Sequence, residues 1–186
     1  IAGIVAEAVE QVTPAATEER LAIDVAVDPS LWVLGSAGLL AHAVANLVSN
    51  AVKYGPADSR IAVTAAAEGG YAVISITDHG PGIPEIHRER LFERFYRVDR
   101  ARSRDSGGTG LGLAIVKHVA MVHGGYAEVD SRTDANHGST FRIRMPLTTE
   151  GRVKSLPLAD ATPLHTPTEH DSATLPTTPS AARRTA

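Results

Sequence analysis

The sequence predicts a single α/β (α+β) domain followed by an unstructured tail, and three observations carry that expectation. Two stretches, 60–78 and 126–145, alternate apolar and polar residues about a central turn, Glu68-Gly69-Gly70 in one and Asn136-His137-Gly138 in the other, as β-hairpins do. Three others, 1–12, 37–54 and 111–123, repeat apolar residues every three or four positions, the period of an amphipathic helix. From Thr148 onward Pro, Thr, Ser and Ala dominate with few large apolar residues, so 148–186 is expected to be disordered.

Taken in order, Ile4, Val5, Ala8 and Val12 share one helical face, and the helix is expected to end near Pro14. Leu21, Ile23, Val25 and Val27 alternate with Ala22, Asp24 and Ala26 as a strand, and Asp28-Pro29-Ser30 turns the chain. Leu31 to Leu34 is a candidate second short strand, and Ser36 is the expected N-cap of the long helix Ala37 to Tyr54. Gly55-Pro56 ends that helix before the hairpin of Arg60 to Ala67 and Tyr71 to Asp78. Residues 88–105 are crowded with Arg and acids and hold only Leu91, Phe92, Phe95, Tyr96 and Val98 as large apolar groups, so a mobile loop pinned by its aromatic residues is expected. Leu111 to His123 returns to helix with Gly124-Gly125 as the stop. The last hairpin pairs Tyr126 to Asp130 with Ser139 to Met145, and Pro146 closes the fold.

Composition removes several functions. The 186 residues carry a net charge of −3, which leaves no overall electrostatic footprint for nucleic acid. Without Cys there is no thiol catalysis, disulfide or Cys-ligated zinc, and the eight His show no paired i, i+4 arrangement for zinc; His118 and His123 read as helix surface. No apolar run reaches membrane-spanning length. Because the chain starts at Ile1 rather than Met, it is expected to be a fragment with any membrane anchor upstream.

Chemistry concentrates in three places. In the helix 37–54, Leu40, Val44, Leu47, Val48 and Ala51 form one face, while His42, Asn46, Asn50 and Lys53 form a narrow polar line on the other. Two Asn in mid-helix cost stability unless their amides have partners. Their carboxamide oxygens suit a hard cation beside an anion held by Lys53, and a buried Asn pair that only satisfies backbone groups explains the line about as well. Asp78-His79-Gly80-Pro81-Gly82-Ile83-Pro84 puts a carboxylate at a strand end with glycines that let backbone approach a ligand, a place where Asp can accept a hydrogen bond from an exocyclic amine such as that of adenine; an ordinary Asp-capped turn has the same look. Ser106-Gly107-Gly108-Thr109-Gly110-Leu111-Gly112-Leu113 runs straight into a helix N-terminus, which favours phosphate. It is neither a dinucleotide fingerprint, lacking a strand before it and a Gly at the position of Leu113, nor a P-loop, lacking Gly-Lys-Ser/Thr. Of Arg88, Arg90, Arg94, Arg97, Arg100, Arg102 and Arg104, one or two are expected on phosphate and the rest solvated or paired with acids.

Four stretches therefore stand in a fixed order: Asn46-Leu-Val-Ser-Asn50-Ala-Val-Lys53-Tyr54, Asp78-His-Gly80-Pro-Gly82, Leu91-Phe92-Glu-Arg-Phe95-Tyr96, and Gly108-Thr-Gly110-Leu-Gly112-Leu113. They resemble the N, G1, F and G2 boxes of the catalytic, ATP-binding domain of bacterial sensor histidine kinases, in the GHKL superfamily, and Gly138-Ser139-Thr140 sits where that family has a further small Gly motif. The resemblance covers most of Ile1 to Pro146 and implies a catalytic domain over 1–147. It also implies a two-layer sandwich of the Bergerat type, with a mixed, mostly antiparallel sheet under three helices and ATP on the helix side beneath a flexible lid.

Carried over residue by residue, the resemblance implies that Asn50 holds Mg²⁺ with help from Asn46, and that Lys53 approaches phosphate as the third catalytic residue. Tyr54 flanks the adenine, Asp78 accepts from its amine, and Gly80, Gly82 and Ile83 shape that pocket. Phe92 and Phe95 anchor the lid. Arg97, Gly108, Thr109, Gly110, Leu111, Gly112 and Leu113 belong to the phosphate side, and Thr140 joins the nucleotide site. Related ATP hydrolases carry a Glu base where this chain has Asn46, which suits transfer of the γ-phosphoryl to a histidine rather than to water. The family's phosphoacceptor His is missing, since the one His-acid pair, His170-Asp171, lies in the Pro-rich tail. The implied partners are the helical dimerisation and phosphoacceptor domain, a response-regulator receiver domain and, in the full-length protein, a second copy. The implied location is the cytoplasmic side of the bacterial membrane, without direct membrane contact by this fragment. The alternatives are an anti-sigma-factor type Ser kinase, which keeps an acid at the Asn46 position, and a non-catalytic, nucleotide-dependent interaction module.

Overall fold

The first helix outruns its expected end. A computed structural model describes residues 1–98 and 109–148, and in it α1 spans Ala2–Glu18 with Pro14 inside. The Pro removes one backbone donor, but the apolar face continues as Val5, Ala8, Val12 and Ala16, all buried, and the amide of Leu21 then caps the carbonyl of Ala16. Burial of Ala16 and Leu21 outweighs the missing hydrogen bond. Strand β1, Ala22–Val27, follows as a largely exposed edge. Residues 31–34 are not a strand: they have no ladder partner, and the segment is held by Leu31, which is buried in the core, and by the Trp32 carbonyl, which accepts the amide of Thr148.

Helix α2, Ala37–Tyr54, starts at the expected cap, where Ser36 Oγ accepts the Leu39 amide at 3.4 Å. Eight residues of its apolar side, from Leu40 to Val52, are buried. Strands β2, Arg60–Glu68, and β3, Tyr71–Asp78, form the expected hairpin. Its two-residue turn places Gly69 at φ 55° and Gly70 at φ 85°, the backbone of a type I′ turn that matches the sheet twist. A single helical turn, α3, Glu85–Arg88, precedes the Phe-containing segment, and α4 runs Gly112–Val122. Gly124, at φ 72°, ends α4 with its amide on Met121 and that of Gly125 on Ala120, the two bonds of a Schellman stop. Strands β4, Tyr126–Arg132, and β5, Gly138–Pro146, complete the fold.

The sheet order is β1-β2-β3-β5-β4, with β1 parallel to β2 and the other pairs antiparallel. The predicted mixed, mostly antiparallel sheet under three helices is therefore what forms, with α1, α2 and α4 on one face. Ile61 and Val63 of β2, Ile74 and Ile76 of β3 and Phe141, Ile143 and Met145 of β5 join the buried helix faces in one core. The opposite face carries ion pairs, Arg144 with Glu68 and Glu128, and Arg142 with Asp130. Among the described residues no helix is long and apolar enough to cross a membrane.

Candidate nucleotide-binding site

The polar line of α2 survives folding. His42 is exposed, Asn46, Asn50 and Lys53 are half-buried, and Tyr54 ends the helix 54% exposed with the Lys53 ammonium 5.3 Å from its ring centre. Asn46 is oriented by its own helix: its Nδ2 donates to the His42 carbonyl at 3.0 Å, which leaves Oδ1 as the outward acceptor. That oxygen faces the start of α4, because a Cβ placed on Gly112 would stand 3.1 Å from it. The glycine is what lets the two helices approach there. Leu111 is the N-cap residue of α4 and makes no side-chain cap bond to its first turn, unlike Ser36 at the start of α2. The Asn46 carboxamide oxygen and the N-terminus of α4 thus lie close together.

The second wall is the loop after β3. Asp78, 6% exposed, ends that strand on the helix side of the sheet. Its Oδ1 accepts the Gly80 amide at 2.8 Å, and the Ser139 amide adds a second bond. Burial pushes its carboxyl above the ordinary 3.8, and those two amides and the charge of His79 pull it part of the way back. Gly80 leaves no room for a side chain, since a Cβ there would meet the Tyr54 carbonyl at 2.7 Å and Asp78 Oδ1 at 2.9 Å. Gly82, at φ 74°, is pressed against the Arg132 carbonyl, which a Cβ would overlap. Ile83 is half-buried against the core and donates its amide to Ser131 Oγ at 2.8 Å. An open hollow of about 390 Å³ lies on this loop, lined by Tyr54, Pro56, Gly80, Pro81 and His137 among others.

The aromatic segment anchors differently from expectation. Leu91 is buried, and Phe92 and Tyr96 pack half-buried against the core. Tyr96 is fixed by His87, whose Nδ1 lies 2.7 Å from its hydroxyl, and by the Arg90 guanidinium 4.4 Å from its ring centre. Phe95 is not an apolar anchor, for its ring is 66% exposed. Its backbone does the work: at φ 64° it donates its amide to the Gly110 carbonyl at 2.9 Å, and Gly110, at φ 71°, would clash with Phe95 Cα if it carried a Cβ. Arg97, Leu111 and Leu113 are half-buried and Thr109 is exposed. Gly108, Arg100, Arg102 and Arg104 lie outside the described residues.

Two further expectations need correction. Thr140 does not belong to this site: it alternates with Ser139 along β5, so its side chain lies on the far face of the sheet, where its hydroxyl pairs with that of Thr77 at 3.0 Å. Ser139, directly opposite Asp78 in register, is the residue of that motif on the site side. Nor is His123 simply helix surface. Its Nδ1 donates to the Val119 carbonyl at 2.7 Å and its Nε2 accepts the Ser36 amide at 3.0 Å, tying the end of α4 to the start of α2 over Gly35.

Residues 35–149 match the model of histidine kinase-, DNA gyrase B- and HSP90-like ATPases. Over 143 residues the chain is 47% identical to the sensor-like histidine kinase SenX3 of Mycolicibacterium smegmatis, covering 77% of this chain and 37% of that protein, so it spans little more than a third of that relative's length. The structure of the mycobacterial sensor histidine kinase MprB is similar at a TM-score of 0.71 and 36% identity, over 78% of this chain and 95% of that one. Full-length ShkA in complex with AMPPNP is similar at a TM-score of 0.67 and 31% identity, over 80% of this chain and 30% of that one. The boxes, the sheet order and these matches agree, and the chain belongs to the histidine kinase-, gyrase- and HSP90-like ATPase family as the catalytic ATP-binding domain of a two-component sensor histidine kinase.

Proposed function

We propose that this domain binds Mg·ATP between the α2 polar line and the 78–83 loop and transfers the γ-phosphoryl group to a histidine on a separate helical dimerisation domain, for relay to a response-regulator receiver domain. The observation that carries the reading is Asp78: a carboxylate buried at a strand end, held by two backbone amides, with a glycine loop beside it and Tyr54 across from it. A carboxylate so placed accepts from the exocyclic amine of adenine, and Gly80 and Gly82 keep side chains out of the space the base needs.

The phosphates would lie toward α4, where the first-turn amides and the helix dipole favour anions, with Lys53 adding its charge. The residues present fit a magnesium ion. Asn46 is turned so that an oxygen, not a nitrogen, faces the cleft, and Asn50 follows one turn later, half-buried on the same line. Asn50 would hold the ion with Asn46 assisting, and the ion, when bound, would neutralise charge on the transferring phosphoryl group. An amide cannot take a proton from water, so the residue facing the phosphate side is no general base for hydrolysis, which favours transfer to an incoming nucleophile. Arg97 and the Gly108 to Leu113 segment belong to the phosphate side of this reading.

In the full-length protein the domain would be cytoplasmic, attached to a membrane-anchored homodimer. Incubation with Mg·ATP and the matching dimerisation domain tests the proposal, with acid-labile phosphohistidine as the expected product. Nucleotide binding without such a product would leave a nucleotide-dependent interaction module.

A further inference from the structure

Three polar residues are buried among the described ones, and they form one row. Asp78, Ser139 and Ser131 are each 6% exposed. Asp78 pairs with Ser139 across β3 and β5, and Ser139 pairs with Ser131 across β5 and β4, so the three side chains stand abreast on the helix side at one end of the sheet. Everything else buried on that face is apolar. A buried hydroxyl costs free energy unless it is hydrogen-bonded, so a pair of them at this edge asks what they hold.

Ser131 Oγ has three partners. It donates to the Gly138 carbonyl at 2.9 Å, accepts the Ile83 amide at 2.8 Å, and lies 2.8 Å from Ser139 Oγ. With its one proton on Gly138, it accepts the proton of Ser139 as well, and its bonding capacity is filled. Gly138 abuts the Asp78 carbonyl, which a Cβ would overlap, and Ile83 ends the glycine loop. One hydroxyl of β4 therefore ties the Ile83 end of the loop that follows Asp78 to Gly138 of β5, which itself lies against the Asp78 carbonyl. No motif marks Ser131, and nothing in the proposed chemistry uses it.

We infer that Ser131 is a positioning residue for the base pocket: by holding the Ile83 amide and the Gly138 carbonyl it sets where the 79–83 loop stands relative to Asp78, and so sets discrimination between nucleobases. The inference rests on the reading that this pocket takes adenine. Without the hydroxyl the Ile83 amide is left unsatisfied and the loop relaxes away from Asp78. A shift on the order of 1 Å is enough to weaken a single oriented hydrogen bond.

Calorimetric titration of the chain with ATP and with GTP, each with magnesium, tests this in Ser131→Ala and in Thr77→Val. The second variant removes one of a hydroxyl pair on the opposite face of the same sheet and serves as the structural control. Ser131→Ala is expected to lose roughly tenfold in ATP affinity and most of its preference for ATP over GTP, consistent with one unsatisfied amide. Thr77→Val is expected to lower the thermal midpoint and keep the preference. An unchanged preference in Ser131→Ala overturns the inference, as does an equal loss in both variants. If Ser131→Ala does not fold, Ser131→Cys, a weaker acceptor of similar size, decides by the same ratio: partial loss supports the role and none overturns it. A parent chain that binds no ATP overturns the adenine reading itself. A parent that prefers ATP, matched by Ser131→Ala, overturns the role of Ser131 alone.

Discussion

Replacing Asp78 by Asn separates recognition from folding, because the first should respond strongly and the second little. The carboxylate is 6% exposed, and burial raises its pKa above 3.8 despite the amides of Gly80 and Ser139. A folded-state pKa above the unfolded one means that this group's contribution to stability is fully present below pH 3.8 and is lost as pH rises through the folded value, so at neutral pH ionised Asp78 works against the fold. Asn carries no charge to desolvate, but it offers one acceptor oxygen in place of two. These changes oppose each other, and the thermal midpoint of Asp78→Asn is expected to move little. ATP binding should move a great deal. Losing a hydrogen bond from a buried charged acceptor costs about 1.5–3 kcal/mol, or roughly 10–150-fold in Kd. GTP should not suffer equally, since guanine presents a carbonyl where adenine presents an amine, and Asn can donate to it. In calorimetric titrations at neutral pH the preference for ATP should therefore collapse. In the parent protein ATP affinity should begin to fall, on acidification, at a higher pH than an unburied Asp would impose, and in Asp78→Asn that part of the fall should be absent. A mutant that still prefers ATP as strongly as the parent would refute the carboxylate's role in the pocket.

Other consequences follow from the same geometry. Asn50→Ala should abolish magnesium-dependent ATP binding, seen as equal and weak affinity with and without EDTA. Gly82→Ala should destabilise the domain and weaken ATP binding: a left-handed conformation costs an alanine about 1–2 kcal/mol before the overlap with the Arg132 carbonyl is counted, and thermal unfolding with calorimetry reads both. Removing residues 149–186 should leave nucleotide affinity unaltered, because every residue placed on the nucleotide lies before them; a changed Kd would assign the tail a part in binding.

The elements that rest on local chemistry were legible in the sequence. Ser36 announces α2 by its type and position, Gly69-Gly70 announces a two-residue hairpin, and Gly124 announces the end of α4, each because a backbone need is met within a few residues. The nucleotide boxes are legible for the same reason: Asn46 and Asn50 lie one turn apart, and Asp78 lies two residues from Gly80. Where the sequence misled, a distant contact outweighed a local preference. Pro14 should stop a helix, but Ala16 and Leu21 find a core that only the assembled sheet provides. Leu31 to Leu34 has the composition of a strand and no neighbour to pair with. Phe95 has the apolar bulk of an anchor, yet what its neighbourhood holds is its amide, through Gly110, 15 residues further along the sequence.

The confusion of Thr140 with Ser139 shows the limit most sharply. A motif locates a residue along the chain, whereas a site needs to know which face of a strand the side chain takes, and faces alternate with a period of two. Both residues are small hydroxyls in one Gly-Ser-Thr-Phe run, so the motif does not distinguish them, although the alternation with Phe141, Ile143 and Met145 puts Ser139 in phase with the apolar face. Register does: Asp78 opposite Ser139 puts Ser139 beside the carboxylate and sends Thr140 to Thr77 on the other side. Ser131 is two strands from Asp78, and no spacing in the sequence connects them. The row of three buried polar groups exists only once β4, β5 and β3 are laid side by side. A site built across strands is thus encoded in the pairing of distant segments, and substitutions in β4 that shift its register by one residue should disable the base pocket while leaving every recognisable box intact.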